Sequence, residues 1–379
     1  MKKIAFVWDN FGPMHIDRCD ALVHEWGGRA LLIGVEIFGK SETYIWPSSK
    51  ARTFEKVTLF PNGLPLYQRQ LRLTQSLVRA ISEINPSAVF FCHYELPAIW
   101  AAAAISRMRG RHVFVMNNSR FEDKERFRLR ELAKALFLLP YEGALVAGEG
   151  SRSYLEFLGM SQSRIALGYN TVSVKRIQRL CEAPPAPEGA PFSDRHFSII
   201  ARFVPKKNLA TAIEAYGEYV KLVPQPRALH IAGYGPDEPA LRKLVSDLGL
   251  SHNVIFRGAL QIEGVSEMYS TTLALILTSI EEQFGNVVIE AQATGLPVII
   301  SDRCGAWEVM VQSGVNGFVA ESDNAPGYAY FMSLLSEDEG LWRAMALAAR
   351  QSARRGDVER FVEGVNSLIG PLDSRPRVS

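Results

Sequence analysis

The chain has 379 residues, of which 47% are hydrophobic and 22% are charged. This length predicts two domains of ordinary size, and the apolar fraction is sufficient for two full cores. The formal net charge is only +2, so the charge balance gives no reason to expect a nucleic acid partner. No apolar run approaches the roughly 18 residues that a membrane-spanning helix requires.

The cysteines and the N-terminus indicate the compartment. The cysteines are far apart and form no C-x-x-C pair, which is typical of free thiols in a reducing compartment: Cys19, Cys92, Cys181 and Cys304. The apolar run at residues 4–8 is too short for a signal peptide. We therefore expect a cytoplasmic protein.

Strand and helix patterns alternate through the first half of the chain. A strand is predicted at residues 4–8, a glycine turn at residues 9–13 and a helix at residues 14–26. Further strands are predicted at residues 30–35, 55–60, 88–92, 112–116, 143–147 and 164–168, with helices at residues 66–84, 97–108, 120–139 and 151–158. The first turn has no G-x-G-x-x-G fingerprint, which disfavours a dinucleotide-dependent dehydrogenase.

Three positions just beyond predicted strands are candidate ligand contacts. Open α/β sheets bind ligands at the carboxyl ends of their strands. Gly12 lies in the first turn, His15 begins the helix after it, and His93 follows the strand at residues 88–92. For His15, a surface or capping role is the alternative interpretation.

The segment at residues 107–134 is unusually basic, with nine Lys or Arg residues against four acidic ones. Its apolar side chains share one face of the predicted helix, and we expect that face to pack on the core: Leu132, Ala135, Leu136 and Leu139. The cations from Lys124 to Lys134 then form a solvated surface, or they contact a membrane surface or an anionic, lipid-linked acceptor. The second interpretation would place the protein peripherally at the inner membrane surface.

A proline-rich segment separates the two halves of the chain. Residues 181–191 contain four prolines and a glycine, which cannot all lie inside a helix or strand. The alternation of strands and helices on both sides predicts two doubly wound α/β domains. The predicted division is a first domain at residues 1–175, a linker at 176–195, a second domain at 196–356, and a final helix and tail at 357–379.

The second domain opens with a predicted strand that is followed by spaced cations. Arg202 and Lys207 stand at the strand end and at the start of a helix, where two cations can bind a diphosphate without a metal ion. A solvated basic loop is the alternative, and it is the expectation for Lys206. The later turn Gly233-Tyr-Gly235 lacks the third glycine of a dinucleotide loop.

Residues 279–297 carry two carboxylates between two buried strand patterns. Glu282 lies in a loop, and Glu290 lies inside a helix that is apolar almost all round. A carboxylate buried there requires a partner, because an unpaired buried charge is strongly unfavourable. Gly285 allows the backbone to approach a ligand closely, and the N–H groups of the first helical turn suit an anion.

The segment from Glu282 to Glu290, which ends in Gly295-Leu-Pro297, resembles the Glu, seven residues, Glu motif of retaining glycosyltransferases with the GT-B fold, family 4 in particular. Arg202 and Lys207 resemble that family's Arg, four residues, Lys motif. The resemblance implies an α/β fold of two Rossmann-like doubly wound domains facing across a cleft, with the final helix returning to the first domain. It covers the chain and is most specific in residues 202–298.

The resemblance also implies an activity and a set of site residues. The activity is that of a retaining, metal-independent hexosyltransferase, which moves a sugar from a nucleotide-diphosphate sugar to a glycan, lipid-linked or small-molecule acceptor without a further cofactor. Arg202 and Lys207 would stabilise the leaving diphosphate, with Glu282 as the third catalytic residue. Donor contacts would be Gly12, Arg202, Lys207, Glu282, Phe284, Gly285, Asn286 and Glu290, and acceptor contacts His15 and His93.

The sequence departs from the family at one point and leaves two rival functions open. Asn117 and Asn118 stand where many relatives have a histidine, and His93 is a candidate substitute. One rival is a sugar-nucleotide 2-epimerase of the same fold, which would need no acceptor. The other is a non-catalytic adaptor, which the presence of all four motif residues disfavours.

Overall fold

The computed structural model describes residues 1–39, 51, 53–63 and 70–370. The chain forms two compact units. The first combines Met1–Val172 with the C-terminal segment that begins at Val358, and the second is Ser173–Asp357. The predicted tail after residue 370 and the first four residues of the predicted helix at 66–84 lie outside the described residues.

The first unit is built on a sheet of seven strands in the order β3-β2-β1-β4-β5-β6-β7, and all of its strand pairs are parallel. Its elements up to the domain boundary are β1 (Lys2–Trp8), α1 (Pro13–Trp26), β2 (Ala30–Phe38), β3 (Glu55–Phe60), α2 (Gln70–Ile84), β4 (Ala88–Phe91), α3 (Pro97–Met108), β5 (His112–Asn117), α4 (Arg128–Phe137), β6 (Gly143–Val146), α5 (Glu149–Phe157) and β7 (Ile165–Leu167). The central strands are apolar on both faces because helices cover the sheet on both sides.

The second unit contains a six-stranded parallel sheet in the order β10-β9-β8-β11-β12-β13. The remaining elements of the chain are α6 (Val174–Leu180), β8 (His196–Ile200), α7 (Leu209–Leu222), β9 (Leu229–Ala232), α8 (Glu238–Asp247), β10 (Val254–Gly258), α9 (Ile262–Ser270), β11 (Thr272–Leu277), α10 (Asn286–Ala293), β12 (Val298–Ser301), α11 (Trp307–Met310), β13 (Gly317–Ala320), α12 (Ala325–Glu337), α13 (Glu339–Ser352) and α14 (Val358–Ile369). The predicted pair of doubly wound α/β sheets is confirmed.

The strand orders locate one switch point in each sheet. In the first unit the order reverses between β1 and β4, and in the second it reverses between β8 and β11. Ligands of doubly wound sheets bind beyond the carboxyl ends of the strands at this reversal. The loops that follow β1, β4, β8 and β11 are therefore the places to examine for function.

Helix α14 completes the core of the first unit. Phe361 is buried against the aromatic cluster of the sheet, where its ring centroid lies 5.7 Å from that of Phe6. Trp26 of α1 donates a hydrogen bond from Nε1 to Asn366 Oδ1 of α14 at 2.9 Å. The C-terminal helix is thus part of the first unit although 185 residues of the second unit precede it.

The structure differs from the predicted linker at residues 176–195. The boundary lies between Val172 and Ser173, and α6 already belongs to the second unit. Ser173 begins this helix by accepting a hydrogen bond from the Arg176 N–H at 3.2 Å. The proline-rich part is also anchored, because the Ala186 N–H donates to the Thr294 carbonyl at 2.8 Å. Prolines prevented regular structure here, but they did not prevent packing.

The predicted orientation of the basic helix is wrong. Helix α4 begins only at Arg128, and the leucines expected to pack on the core are exposed. The residue that faces inward is Glu131, whose carboxylate accepts a hydrogen bond from Tyr154 at 2.5 Å. The buried hydrogen bond between Tyr154 and Glu131 therefore lies where the periodicity predicted that leucines would pack against the core.

Candidate functional site

The two motif loops of the second unit lie side by side at its switch point. Strands β8 and β11 pair in parallel, with Ser198 opposite Leu275. Their carboxyl ends therefore meet at one edge of the sheet, so that the loop carrying Arg202 and Lys207 adjoins the loop carrying Glu282. The sheet topology brings together the two motifs that the sequence separates by about 80 positions.

Backbone hydrogen bonds join these two loops. The carbonyl of Lys206 accepts from the N–H groups of Ile280 at 3.0 Å and Glu281 at 3.4 Å. The Thr278 hydroxyl donates to the Asn208 carbonyl at 2.8 Å. Because two of these contacts join main-chain atoms on both sides and the third joins a hydroxyl to a main-chain carbonyl, the fold sets the positions of the two loops relative to one another.

An ion pair between Lys207 and Glu282 forms the centre of the site. The ammonium of Lys207 donates a hydrogen bond to Glu282 Oε2, and the two side chains are only 15% and 19% exposed. Burial lowers the pKa of Lys207 to about 8. The adjacent pair of Lys206 and Glu281 is longer, at 3.6 Å, and both of its side chains are more exposed.

The loop after β12 supports Glu282 from the other side. The N–H of Gly305 donates to the Glu282 carbonyl at 2.9 Å, and the N–H of Ala306 donates to the Phe284 carbonyl at 2.8 Å. Gly285 has a φ of 101°, and a Cβ at this position would lie 2.9 Å from Cys304 Sγ. Glycine is therefore required where the loop turns into α10.

Glu290 has a tyrosine partner that the sequence did not reveal. The Tyr269 hydroxyl, at the end of α9, donates to Glu290 Oε2 at 3.2 Å. Burial, together with the neighbouring carboxylate, raises the pKa of Tyr269 well above its ordinary value. Tyr269 is therefore a hydrogen-bond donor that orients Glu290 at any physiological pH.

The Gly233-Tyr-Gly235 turn packs against the Arg202 loop. A Cβ on Gly233 would lie 1.8 Å from the Ala201 carbonyl oxygen, and one on Gly235 would lie 2.2 Å from that of Phe203. The Phe203 N–H donates to the Tyr234 carbonyl at 2.7 Å. These glycines are explained by the close approach of two backbone segments, which accounts for the incomplete dinucleotide pattern.

The switch point of the first unit gathers Asp9, Cys92 and His93. Strands β1 and β4 pair with Val7 opposite Phe91, so the residues that follow them are neighbours. His93 Nε2 lies 2.9 Å from Asp9 Oδ2, and His93 Nδ1 lies 3.4 Å from Glu95 Oε1. The potential ligand atoms of Asp9, Cys92 and His93 lie within 4.8 Å of one another, which within the described ranges is the one cluster able to hold a metal ion.

His93 occupies an unusual backbone conformation and a charged environment. Its φ is 53°, a region that residues other than glycine rarely adopt. The electrostatic effect of Cys92, together with hydrogen bonds to Asp9 and Glu95, raises the pKa of His93 well above its ordinary value. Such local strain at a strand end is typical of functional positions.

The other two predicted residues of the first unit meet one another. The Gly12 N–H donates to His15 Nδ1 at 3.1 Å, so that His15 caps the start of α1. Its ring lies 4.8 Å from that of Trp8, and burial lowers its pKa well below the ordinary value. This geometry is the capping role considered as the alternative for His15. Asn117 at the end of β5 is buried and accepts from the Ser119 N–H at 3.1 Å.

Residues 185–352 match the family model described as Glycosyl transferases group 1. The D-inositol 3-phosphate glycosyltransferase of Streptomyces bingchenggensis is 34% identical over 125 residues, which are 33% of this chain and 27% of that protein. The alignments with this relative and with four others cover from 27% to 46% of the lengths of those proteins.

Solved structures match nearly the whole chain. The crystal structure of Staphylococcus aureus TarM superposes with a TM-score of 0.75 at 14% identity and covers 99% of both chains. Anabaena HepE in complex with UDP and glucose superposes with a TM-score of 0.71 at 16% identity, over 97% of this chain and 99% of that one. The chain therefore has the GT-B fold, and its residues 185–352 are similar to the glycosyl transferases group 1 family.

Proposed function

We propose that the protein is a retaining glycosyltransferase, which moves a sugar from a nucleotide-diphosphate sugar to a glycan, lipid-linked or small-molecule acceptor. The observation that carries this proposal is the Lys207–Glu282 ion pair at the switch point, where two loops are hydrogen-bonded together. Two kinds of evidence support it: several relatives are named as glycosyltransferases, and HepE binds UDP and glucose.

The diphosphate of the donor would bind to Arg202, Lys207 and the first turn of α10. Charged donors that are already in position stabilise a developing negative charge more effectively than water does, because they need no reorganisation during the reaction. The N–H groups at the start of α10 add to this effect, since the helix dipole favours an anion there. The Lys207 ammonium is held in an ion pair with Glu282 and would shift toward the diphosphate as the leaving group departs.

The two carboxylates would bind different parts of the donor. Glu290, oriented by Tyr269, would accept hydrogen bonds from the ribose hydroxyls. Glu282 has one carboxylate oxygen engaged by Lys207, and its second oxygen would accept from a hydroxyl of the transferred sugar. Phe284, Gly285 and Asn286 would contribute the backbone beside that sugar.

The proposed reaction needs no metal ion. Two cations and the amide groups of a helix start supply the positive charge that a metal would otherwise bring to the diphosphate. In the first unit, Gly12 would contact the donor and His93 would contact the acceptor. No observation among the described residues favours the epimerase or the adaptor that the sequence left open.

A thermal-shift screen of nucleoside diphosphates and their sugars tests the donor part of this proposal. A ligand at about 100 times its dissociation constant should raise the free energy of unfolding by roughly 2.7 kcal/mol. Release of nucleoside diphosphate from the sugar donor that stabilises most would then show turnover. If no nucleotide sugar shifts the unfolding temperature or is consumed, the proposed function is refuted.

A further inference from the structure

Helix α4 presents an apolar face to solvent. Leu129, Leu132 and Leu136 are spaced by three and four positions, so they lie on one side of the helix. Leu139 continues the same side in the turn after it. We call these four residues the leucine face, and their exposed fractions are 83%, 62%, 56% and 74% in chain order. An isolated exposed leucine is ordinary, but four on one face of one helix require a cause.

The inward side of α4 combines a buried polar network with an aromatic contact, because Phe137 packs against the core. Glu131 is buried and accepts from the Tyr154 hydroxyl at 2.5 Å and from Lys134 Nζ at 3.1 Å. Lys134 and Arg126 also donate to the Tyr154 oxygen, at 2.6 Å and 2.9 Å. Although burial opposes its ionisation, these hydrogen bonds hold the pKa of Glu131 below its ordinary value.

This network determines which way the helix faces. If α4 were turned so that its leucines met the core, Glu131 would move to the surface. Glu131 and Tyr154 would then lose the hydrogen bonds that they make in this structure. The leucines are therefore held in solvent by the native fold. A surface that the fold keeps apolar at this cost is expected to have a partner.

Aromatic and basic side chains border the leucine face. Phe127 precedes the helix and is 62% exposed, while Phe121 and Phe157 form an exposed edge-to-face pair with centroids 5.4 Å apart. Three exposed cations and two exposed carboxylates lie in the same segment: Lys124, Arg128 and Arg130 with Glu122 and Glu125. Leucine and phenylalanine beside a basic rim are the composition of helices that lie in a membrane interface.

We propose that the leucine face is the surface by which the first unit binds to a bilayer containing anionic lipids. The leucines and phenylalanines would enter the acyl boundary, and the cations would meet lipid phosphates at the rim. A second copy of the chain is the alternative occupant, and sedimentation velocity distinguishes it from a bilayer. This inference concerns a surface of the first unit and does not depend on the proposed reaction.

Vesicle co-sedimentation tests the proposal with the whole chain. Wild type is compared with a leucine variant, Leu129→Ser with Leu132→Ser and Leu136→Ser. The matched control changes three exposed leucines of the second unit, which lie on helices or directly after one: Leu222→Ser, Leu248→Ser and Leu347→Ser. Vesicles contain phosphatidylcholine alone or with phosphatidylglycerol. We expect wild type and control to sediment with the anionic vesicles. The partition coefficient of the leucine variant onto these vesicles should be lower by a factor of about ten or more.

Salt separates the two parts of the interaction. Arg128→Gln with Arg130→Gln should weaken binding mainly at low ionic strength, whereas the leucine variant should be weak at every ionic strength. Arg126 is left unchanged because it belongs to the buried network. Thermal unfolding of all variants is measured alongside, and no large loss of stability is expected from exposed positions.

Three results would overturn the proposal. The first is wild type remaining in the supernatant with anionic vesicles at low salt. The second is the leucine variant sedimenting as wild type does. The third is a wild-type dimer in sedimentation velocity that the leucine variant abolishes while vesicle binding is absent, since the leucine face would then be covered by a second copy of the chain.

Discussion

Replacing Lys207 by alanine should separate the diphosphate site from an ordinary basic loop. Lys206 provides the matched control, because it is the adjacent lysine and also pairs with the adjacent glutamate. The two differ in burial, since the Lys207 side chain is 15% exposed and that of Lys206 is 42% exposed. If burial at the switch point reflects function, the two alanine variants will behave very differently.

The expected magnitudes follow from these environments. Removing a preorganised charge that stabilises a leaving group costs roughly 2–4 kcal/mol of transition-state stabilisation, which lowers kcat/KM by about 30- to 1000-fold. Lys207→Ala should also destabilise the fold by about 1–3 kcal/mol, because the mostly buried Glu282 carboxylate loses its partner. Lys206→Ala removes a half-exposed pair that contributes less than about 1 kcal/mol.

A double variant distinguishes a structural ion pair from a diphosphate site. Lys207→Ala with Glu282→Ala removes the unpaired buried carboxylate, so thermal stability should recover relative to Lys207→Ala. Affinity for the nucleoside diphosphate, measured by titration calorimetry, should remain lost because the cation is still missing. If Lys206→Ala and Lys207→Ala lower this affinity by equal, small factors, the loop is a solvated surface and the reasoning is refuted.

Three further predictions concern the same site. Glu290→Ala should abolish donor binding in calorimetry while Tyr269→Phe weakens it by about 1 kcal/mol, and wild-type affinity in Glu290→Ala would contradict the ribose assignment. The pKa of Lys207 is about 8, so diphosphate affinity should fall as pH rises through about 8. Because the pKa of an unfolded lysine is near 10.4, the unfolded chain binds more protons between these two values, and the contribution of Lys207 to the free energy of unfolding increases with pH there. An affinity that stays constant from pH 7 to about pH 9 would argue against a charged Lys207. Turnover should persist in EDTA, and its loss with recovery upon addition of magnesium or manganese would point instead to the Asp9, Cys92 and His93 cluster as a metal site.

The alternation of strands and helices was enough to predict the architecture and to place the motif residues at strand ends. Arg202 and Lys207 were expected after a strand, and β8 ends at Ile200. Glu282 was expected between a strand and a helix, and it lies between β11 and α10. Such predictions succeed because periodicity and turn residues are local in sequence.

Contacts between distant residues were beyond the reach of the sequence. The need of Glu290 for a partner was predictable, but Tyr269 could not be identified because it comes from a different helix, 21 positions away. His93 and Asp9 are separated by 84 positions and meet only because β1 and β4 are adjacent. Pairing across a sheet depends on strand order, which periodicity does not determine.

Helix α4 shows where hydrophobic periodicity misleads. Its leucines have the spacing of a core-facing stripe, so the sequence predicted that they pack inward. The pattern gave no sign of Tyr154, whose hydroxyl allows Glu131 to be buried in their place. A helix whose apolar stripe binds a partner has the same sequence pattern as one whose stripe packs against the core.

The configuration of the sugar released from the donor tests the central claim most directly. A nucleotide sugar that stabilises the protein is incubated without acceptor, so that water slowly takes the acceptor's place, and proton NMR follows the first anomer to appear. The proposed retaining transfer predicts that the new sugar initially has the anomeric configuration of the donor, and that Lys207→Ala releases it far more slowly. Release of the opposite anomer, release of an epimerised sugar, or equal rates for wild type and Lys207→Ala would contradict the account.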